Sequence, residues 1–194
     1  MLLVVLLAAC STDHPKLLRL SPDAVVLAFG DSLTYGTGAE EKDSYPVVLQ
    51  SLIARKVVRA GVPGEVTADG LVRLSAALDE YAPKLLILCH GGNDLLRNLG
   101  EQQAAANIRA MITLAKGKGV DVVLVGVPKA GLLLSSAEFY QKIAQEFAIP
   151  YEAAALSEIL ASRTLKADTV HPNAQGYRKL AEALASLLQE SGAI

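Results

Sequence analysis

Five short apolar segments, separated by stretches of helical periodicity, constrain the fold of this 194-residue chain more than any other feature. Each segment is almost continuously apolar, as strands buried on both faces are. They are residues 25–30, 56–61, 85–90, 120–127 and 149–153. Between them, apolar residues recur at helical spacing, as Leu71, Leu74 and Leu78 do. Strands that alternate with helices form a parallel sheet covered on both sides, so we expect an α/β domain with about five parallel strands.

The composition fits one globular domain and excludes several classes of protein. Hydrophobic residues make up 52% of the chain and charged residues 20%, which is enough apolar material for one full core. The formal net charge is −2 and the Lys and Arg residues are scattered, so we expect no nucleic-acid partner. No window reaches the roughly 18 to 20 uninterrupted apolar residues of a membrane-spanning helix. We therefore expect a soluble body with one active site.

The N-terminus differs from the rest of the chain. Residues 1–9 are an unbroken apolar run, and Leu7-Ala8-Ala9-Cys10 resembles the lipobox of bacterial lipoproteins, in which a lipid is attached to the cysteine. We therefore expect a signal peptide and tether over residues 1–22, a domain over 23–194, and membrane contact only through a lipid anchor at Cys10, in the cell envelope. No Lys or Arg precedes the run. The alternative is an apolar N-terminal strand or helix in a soluble periplasmic or cytoplasmic protein.

Polar or glycine-rich sequence directly follows four of the five predicted strands. Ligands of open parallel sheets bind beyond the carboxyl ends of the strands, so chemistry is expected in these segments. They are Gly30-Asp31-Ser32-Leu33-Thr34, Gly61-Val62-Pro63-Gly64-Glu65, His90-Gly91-Gly92-Asn93-Asp94 and Gly126-Val127-Pro128. The fifth strand is followed, further along the chain, by Asp168-Thr169-Val170-His171-Pro172.

The chain contains three histidines, which limits the search for a general base. A serine nucleophile needs a base to take its proton, and the base needs a third group to orient it. His14 falls in the predicted tether, and His90 has no carboxylate at an obvious spacing, so we interpret His90 as a supporting residue. His171 has Asp168 three residues earlier in one short loop, although such a pair alone is a weak signal.

Four of these segments together resemble the sequence blocks of the GDSL/SGNH hydrolase family. The similarity covers Gly-Asp-Ser-Leu at 30–33, a glycine block at 60–65, Gly-Gly-Asn-Asp at 91–94 and Asp-x-x-His at 168–171, in the family's order. The resemblance implies a three-layer α/β/α, flavodoxin-like fold, with Ser32 as nucleophile, His171 as base and Asp168 as its orienting carboxylate. No metal or organic cofactor is implied.

For the oxyanion hole, the resemblance implies the backbone N–H groups of Ser32 and Gly64 and the side-chain amide of Asn93. Such preorganised donors stabilise the negative charge of a tetrahedral intermediate. Glycine allows the backbone to approach a substrate closely, and an amide donates at any pH. The alternatives are that Gly64 only forms a turn, and that Asn93 only caps a helix starting near Leu95.

Some residues depart from the family pattern or invite a second interpretation. Arg59 stands where the glycine block usually has Asn, and Pro63 where it has a small polar residue, which affects the expected hydrogen bonds of that loop. We interpret Asp31 as a carboxylate that supports the loop and points away from His171. The Gly-x-Ser-x-Gly elbow of ordinary α/β-hydrolases is absent from the sequence.

The resemblance implies a carboxylic ester hydrolase that works through an acyl-enzyme, most similar to the arylesterase, thioesterase and lysophospholipase branch. The expected substrate is a small ester or lipid. Leu132, Leu133 and Leu134 follow the fourth predicted strand and either pack on the core or line an acyl-binding wall. If they line the site, short to medium acyl chains are favoured.

Three alternatives remain open. The same triad serves an acyl-CoA thioesterase or a lysophospholipase. A flavodoxin-like binding module would use loop 31–38 to cradle a phosphate or flavin, but it leaves Asn93 and the Asp168 and His171 pair unexplained. The last is an envelope lipoprotein that keeps the fold and has lost activity.

Overall fold

The structure, a computed structural model, describes residues 15–129 and 135–194. In this part of the chain five strands form one parallel sheet, in the order β2-β1-β3-β4-β5. They are β1 Val25–Gly30, β2 Lys56–Gly61, β3 Leu85–Cys89, β4 Asp121–Val125 and β5 Tyr151–Glu152. The predicted α/β fold with a central parallel sheet of about five strands is confirmed.

Eight helices accompany the sheet within the described residues. They are α1 Ser32–Tyr35, α2 Tyr45–Ile53, α3 Thr67–Tyr81, α4 Gly92–Leu96, α5 Glu101–Gly117, α6 Glu138–Phe147, α7 Ala155–Ala161 and α8 Ala174–Glu190. Helix α2 packs against α8, and α3 packs against α5. Residues 26–29 of β1 are all fully buried, and neighbouring residues of a strand point to opposite faces, so helices cover both faces of the sheet.

Strands β4 and β5 are shorter than the apolar pattern predicted. Val120, Val127 and Ile149 are buried but lie outside the paired segments. These residues pack on the core without pairing to a neighbouring strand. An apolar pattern in the sequence indicates burial, not backbone hydrogen bonding, and so it overestimated the length of the strands. Strand β5 lies at the edge of the sheet, where only β4 is available to pair with it among the described strands.

The order of the strands opens a crevice beside β1. The chain runs from β1 to β2 on one side and then places β3 on the other side of β1. At such a switch point the loops after neighbouring strands diverge and leave room for a ligand. Ser32, Gly64 and Asn93 follow the three strands that meet here.

Packing of the domain extends upstream to Leu17. The N–H of Leu17 donates to the carbonyl of Ser191 at 2.9 Å, and that of Leu20 donates to Ala193 at 2.8 Å. These contacts begin before residue 23, the start of the domain expected from the signal-peptide and tether interpretation. They join the segment before β1 to the end of α8.

Several predicted residues lie outside the described part of the chain. They are Cys10, His14, Leu132, Leu133 and Leu134. Among the helices that the structure describes, none combines the length and the apolar character needed to cross a bilayer.

Candidate active site

Ser32 stands at the first turn after β1, where a glycine makes room for a close approach. Asp31 accepts a hydrogen bond from the N–H of Leu33 at 3.0 Å and so caps α1, which begins at Ser32. A Cβ at Gly30 would collide with the carbonyl oxygen of Cys89 on β3. The turn therefore presents Ser32 at the carboxyl edge of the sheet.

The side chains of Ser32, His171 and Asp168 form one continuous hydrogen-bonded chain. Nε2 of His171 lies 3.0 Å from Oγ of Ser32, and Nδ1 lies 2.8 Å from Oδ2 of Asp168. A carboxylate only accepts, so Nδ1 carries the proton and Nε2 offers its lone pair to the serine hydroxyl. The structure thus brings together the three side chains selected from the sequence, in an arrangement suited to proton transfer from Ser32 to His171.

The backbone of its own loop holds Asp168 in place. Oδ1 of Asp168 accepts hydrogen bonds from the N–H groups of Val170 and His171, both at 2.8 Å. Partial burial raises the pKa of Asp168, but hydrogen bonds from the His171 side chain and from these two N–H groups outweigh it and lower the pKa below its ordinary 3.8. Asp168 is therefore ionised at neutral pH, as an acceptor for Nδ1 of His171 must be.

Asp31 supports the turn after β1, while Asp168 is the carboxylate that binds His171. The side chain of Asp31 is buried, and this burial raises its pKa even though the Leu33 N–H and nearby histidines favour the ionised form. The geometry agrees with the interpretation of Asp31 as a loop-supporting residue.

Two residues that line the cavity beside the Ser32 hydroxyl have backbone N–H groups with no protein acceptor among the described residues. They are Ser32 itself and Gly64. Gly64 has a φ of +79°, a left-handed conformation that favours glycine. Its surroundings are open, since Nη2 of Arg97 is the only atom of the described residues that an added Cβ would meet within 4 Å. Both N–H groups are therefore available to a substrate oxygen.

Asn93 presents its amide at the same cavity. It is the second residue of α4, whose N-cap is Gly91, so Asn93 does not cap this helix. Nδ2 of Asn93 donates to the carbonyl oxygen of Glu65 at 2.9 Å. An amide nitrogen carries two N–H bonds, so one orients the side chain and the other remains for a ligand.

His90 has a carboxylate partner that its sequence spacing did not reveal. Its side chain is fully buried, and Nε2 lies 3.1 Å from Oε2 of Glu65. The two residues meet because β2 and β3 are both neighbours of β1. The sequence signal that could have suggested Glu65 as the partner of His90 was its position in the loop after β2, directly after Gly64.

Arg59, which stands where the family's glycine block usually has Asn, binds the end of α1 and the segment that follows it. It donates to the carbonyl of Tyr35 at 2.6 Å, pairs with Glu41 at 2.9 Å, and places its guanidinium 4.7 Å from the centre of the Tyr35 ring. Arg59 thus ties β2 to the segment that follows Ser32.

A cavity of about 440 Å³ opens over these groups. Its polar lining includes Ser32, Asn93 and His171. The apolar lining includes Leu33, Pro63, Leu96, Val127, Leu160 and Val170. Lys166 also lines the cavity, and its Nζ donates to the carbonyl of Leu160 at 3.0 Å. Sequence reasoning missed Leu96, Leu160 and Lys166 because they come from α4, α7 and the loop after α7, which only the tertiary fold brings together.

Comparison with known proteins finds a family that spans most of the chain. The model of the GDSL-like Lipase/Acylhydrolase family matches residues 28–179. The chain is 28% identical over 179 residues to thioesterase 1/protease 1/lysophospholipase L1 of Escherichia coli (strain K12), with 88% of this chain and 86% of that protein covered. It is 27% identical to the arylesterase of Vibrio mimicus, with 84% and 87% covered.

A solved structure shares the fold. It is the psychrotrophic esterase EstA from Pseudoalteromonas sp., which is 18% identical and superposes with a TM-score of 0.76. The similarity covers 86% of this chain and 97% of that one.

Proposed function

The chain belongs to the GDSL-like lipase/acylhydrolase family and is an enzyme that acts on carboxylic esters, and we propose that it does so through an acyl-enzyme on Ser32. The observation that carries this proposal is the hydrogen-bonded chain from Ser32 through His171 to Asp168. The geometry satisfies the requirement that nucleophile, base and orienting carboxylate converge.

In the acylation step, Oγ of Ser32 forms a bond to the ester carbonyl carbon while its proton passes to Nε2 of His171. The tetrahedral intermediate then breaks its bond to the alcohol oxygen, which leaves with the proton from His171. In deacylation, water gives its proton to His171 and attacks the acyl carbon. The carboxylic acid departs and Ser32 regains its proton. Asp168 stabilises the imidazolium in both halves.

The oxyanion hole, in this proposal, consists of the N–H groups of Ser32 and Gly64 and the free N–H of Asn93. The three residues line one cavity, and the two backbone N–H groups have no competing acceptor among the described residues. Donors that are already in place when charge develops contribute roughly 3 to 4 kcal/mol each, judged by the cost of removing one.

The natural acyl group is proposed to be short to medium in length. The cavity is mostly apolar, and its volume of about 440 Å³ limits the chain it can enclose. Each methylene that becomes buried adds about 0.8 kcal/mol at best, so the preference should rise with chain length until the apolar wall ends.

A second candidate substrate class is an acyl-CoA or a lysophospholipid. Both carry phosphate groups on the part that leaves, and Lys166 supplies an ammonium group at the cavity wall. The guanidinium of Arg97 adds a second positive charge beside Gly64, where it donates to the Gly64 carbonyl at 2.9 Å. The name of the Escherichia coli relative includes thioesterase and lysophospholipase.

Export to the cell envelope and lipid modification at Cys10 are also part of this proposal. Their support is the apolar run of residues 1–9 and the lipobox-like Leu-Ala-Ala-Cys. The intact mass of the protein from its native membrane tests them, and an unmodified Met1 or a purely cytosolic protein would contradict them.

A substrate panel tests the esterase proposal. It contains p-nitrophenyl esters of increasing acyl length, one acyl-CoA and one lysophospholipid, with Ser32→Ala as the inactive control. We expect short to medium esters to be hydrolysed fastest. A folded wild-type protein that is yellow with bound flavin and inert toward every ester would instead support the binding-module alternative.

A further inference from the structure

A largely buried cluster of three polar side chains adjoins the loop that carries Gly64. Nε of Arg73 lies 2.7 Å from Oε1 of Glu65, and Nη2 lies 2.6 Å from Oε2. Nε2 of His90 lies 3.1 Å from the same Oε2. The side chains of Glu65 and His90 are 6% and 0% exposed. We call Glu65, Arg73 and His90 the Glu65 cluster.

Arg73, on α3, attaches the cluster to the ends of two strands. Its Nη2 donates to the carbonyls of Gly30 at 3.3 Å and Ala60 at 3.2 Å, on β1 and β2. Its guanidinium lies 4.0 Å from the centre of the Phe29 ring. These contacts hold the Glu65 carboxylate at a fixed place relative to the strand that leads to Ser32.

His90 attaches the cluster to β3. Its Nδ1 accepts a hydrogen bond from the N–H of Gly91 at 2.9 Å, so the ring proton is on Nε2 and points at Glu65. The hydroxyl of Tyr140 donates to the backbone carbonyl of His90 at 2.8 Å. The imidazole therefore acts as a fixed, neutral donor to the carboxylate.

The Glu65 carboxylate stays ionised at neutral and mildly acidic pH. Burial raises the pKa of Glu65, but the hydrogen bonds from Arg73 and His90 outweigh it and lower the pKa to about 2. A carboxylate bound by both nitrogens of an Arg fork has little freedom to move. The bound side chain of Glu65 thus restricts the position of the Glu65 backbone.

The backbone of Glu65 contacts one of the proposed oxyanion donors, Asn93, and is covalently joined to a second, Gly64. Its carbonyl oxygen accepts the Nδ2 hydrogen of Asn93 at 2.9 Å. Its own N–H, in the peptide bond that joins it to Gly64, donates to the carbonyl of Val62 at 3.1 Å. The orientation of Asn93 and of the Gly64 backbone therefore depends on where this one residue is held.

We propose that Glu65 is a positioning residue for ester hydrolysis: anchored by Arg73 and His90, it fixes the N–H of Gly64 and the amide of Asn93 at the places where an oxyanion forms. This inference rests on the proposed function, in which those donors stabilise the tetrahedral intermediate. A displacement of about 1 Å costs about 10²-fold in rate. Because the donors act mainly in the transition state, the loss should appear in kcat rather than in KM.

The main test is Glu65→Gln, which keeps the size of the side chain and removes its charge. With p-nitrophenyl acetate we expect kcat to fall about 10- to 100-fold while KM changes less than about twofold. The inhibition constant of an arylboronic acid, which mimics the tetrahedral intermediate, should rise by a similar factor. The control Glu146→Gln removes the carboxylate that pairs with Arg109 at 2.7 Å on the surface, and it should leave kcat unchanged.

A double-mutant cycle tests whether Glu65 acts through the oxyanion donors. In an Asn93→Ala background, Glu65→Gln should reduce kcat by a smaller factor than it does in the wild-type background. Equal factors in the two backgrounds would overturn the inference, as would a loss of thermal stability with kcat unchanged. If Glu65→Gln does not fold, Arg73→Lys replaces it, because that variant keeps the charge and loses the two-pronged contact.

The outcomes separate this inference from the function on which it rests. A wild-type protein that hydrolyses no ester would refute the proposed function. A wild-type protein that is active, with Ser32→Ala inactive and Glu65→Gln and Arg73→Lys fully active, would refute only the positioning role of Glu65.

Discussion

Nε2 of His171 lies 3.0 Å from Oγ of Ser32, although the two residues are 139 positions apart in the sequence. The loop before α8 reaches Ser32 because it packs closely on the segment after α1. A Cβ added to Gly38 would lie 2.6 Å from the carbonyl oxygen of Pro172, and the hydroxyl of Tyr177 donates to the carbonyl of Thr37 at 2.8 Å. The contact between Ser32 and His171 therefore depends on the packing of the segment after α1 against the loop before α8 and the start of α8.

Replacing Asp168 tests how His171 is oriented. Asp168→Asn should lower kcat by about 10² to 10⁴-fold, because an amide can present an N–H to Nδ1 and favour the wrong tautomer. The backbone contacts from Val170 and His171 can still be made to the amide oxygen, so we expect little change in thermal stability. Steady-state kinetics and a melting curve check this, and a loss below about threefold would show that another group orients His171.

Removing the side-chain donor of the oxyanion hole should damage the transition state selectively. Asn93→Ala is expected to lower kcat by about 10² to 10³-fold and to leave KM within about threefold. Kinetics with p-nitrophenyl acetate provide the measurement. A rise in KM at constant kcat would mean instead that Asn93 contributes to substrate binding in the ground state.

Lys166 should distinguish charged leaving groups from neutral ones. Lys166→Met keeps the length of the side chain and removes its ammonium, so kcat/KM for an acyl-CoA should fall about three- to tenfold, while that for a p-nitrophenyl ester stays constant. Lys179→Met, at an exposed position of α8, is the control. Equal effects on both substrates would argue against a phosphate-binding role for Lys166.

The ionised state of Glu65 predicts a dependence of stability on pH. Its pKa in the folded chain, about 2, lies below its ordinary 4.5, so the stabilisation is complete above about pH 4.5 and is lost as the pH falls toward 2. In urea unfolding, the wild type should therefore exceed Glu65→Gln in stability by more at about pH 6 than at about pH 3. A difference that does not change with pH would contradict the low pKa.

The sequence predicts those parts of the site that short local patterns encode. Ser32 follows an apolar strand and a glycine, and Asp168 and His171 share one loop, so their residue types and positions are visible without a structure. The pairing of Glu65 with His90, and the contacts of Arg73 with the carboxyl ends of β1 and β2, arise from the order β2-β1-β3 and the packing of α3 on it, which no local spacing contains. The same reason explains why Leu160 and Lys166 could not be assigned to the cavity.

Chemical labelling tests whether Ser32 is the nucleophile. The wild-type protein is treated with an organophosphate such as diethyl p-nitrophenyl phosphate, and the labelled peptide is sequenced by mass spectrometry beside Ser32→Ala. An activated serine is the group that such a reagent phosphorylates. We predict one adduct per chain, on Ser32, with loss of esterase activity in proportion to labelling, and neither label nor activity in Ser32→Ala. An adduct on another residue, or esterase activity that survives in Ser32→Ala, would show that Ser32 is not the nucleophile.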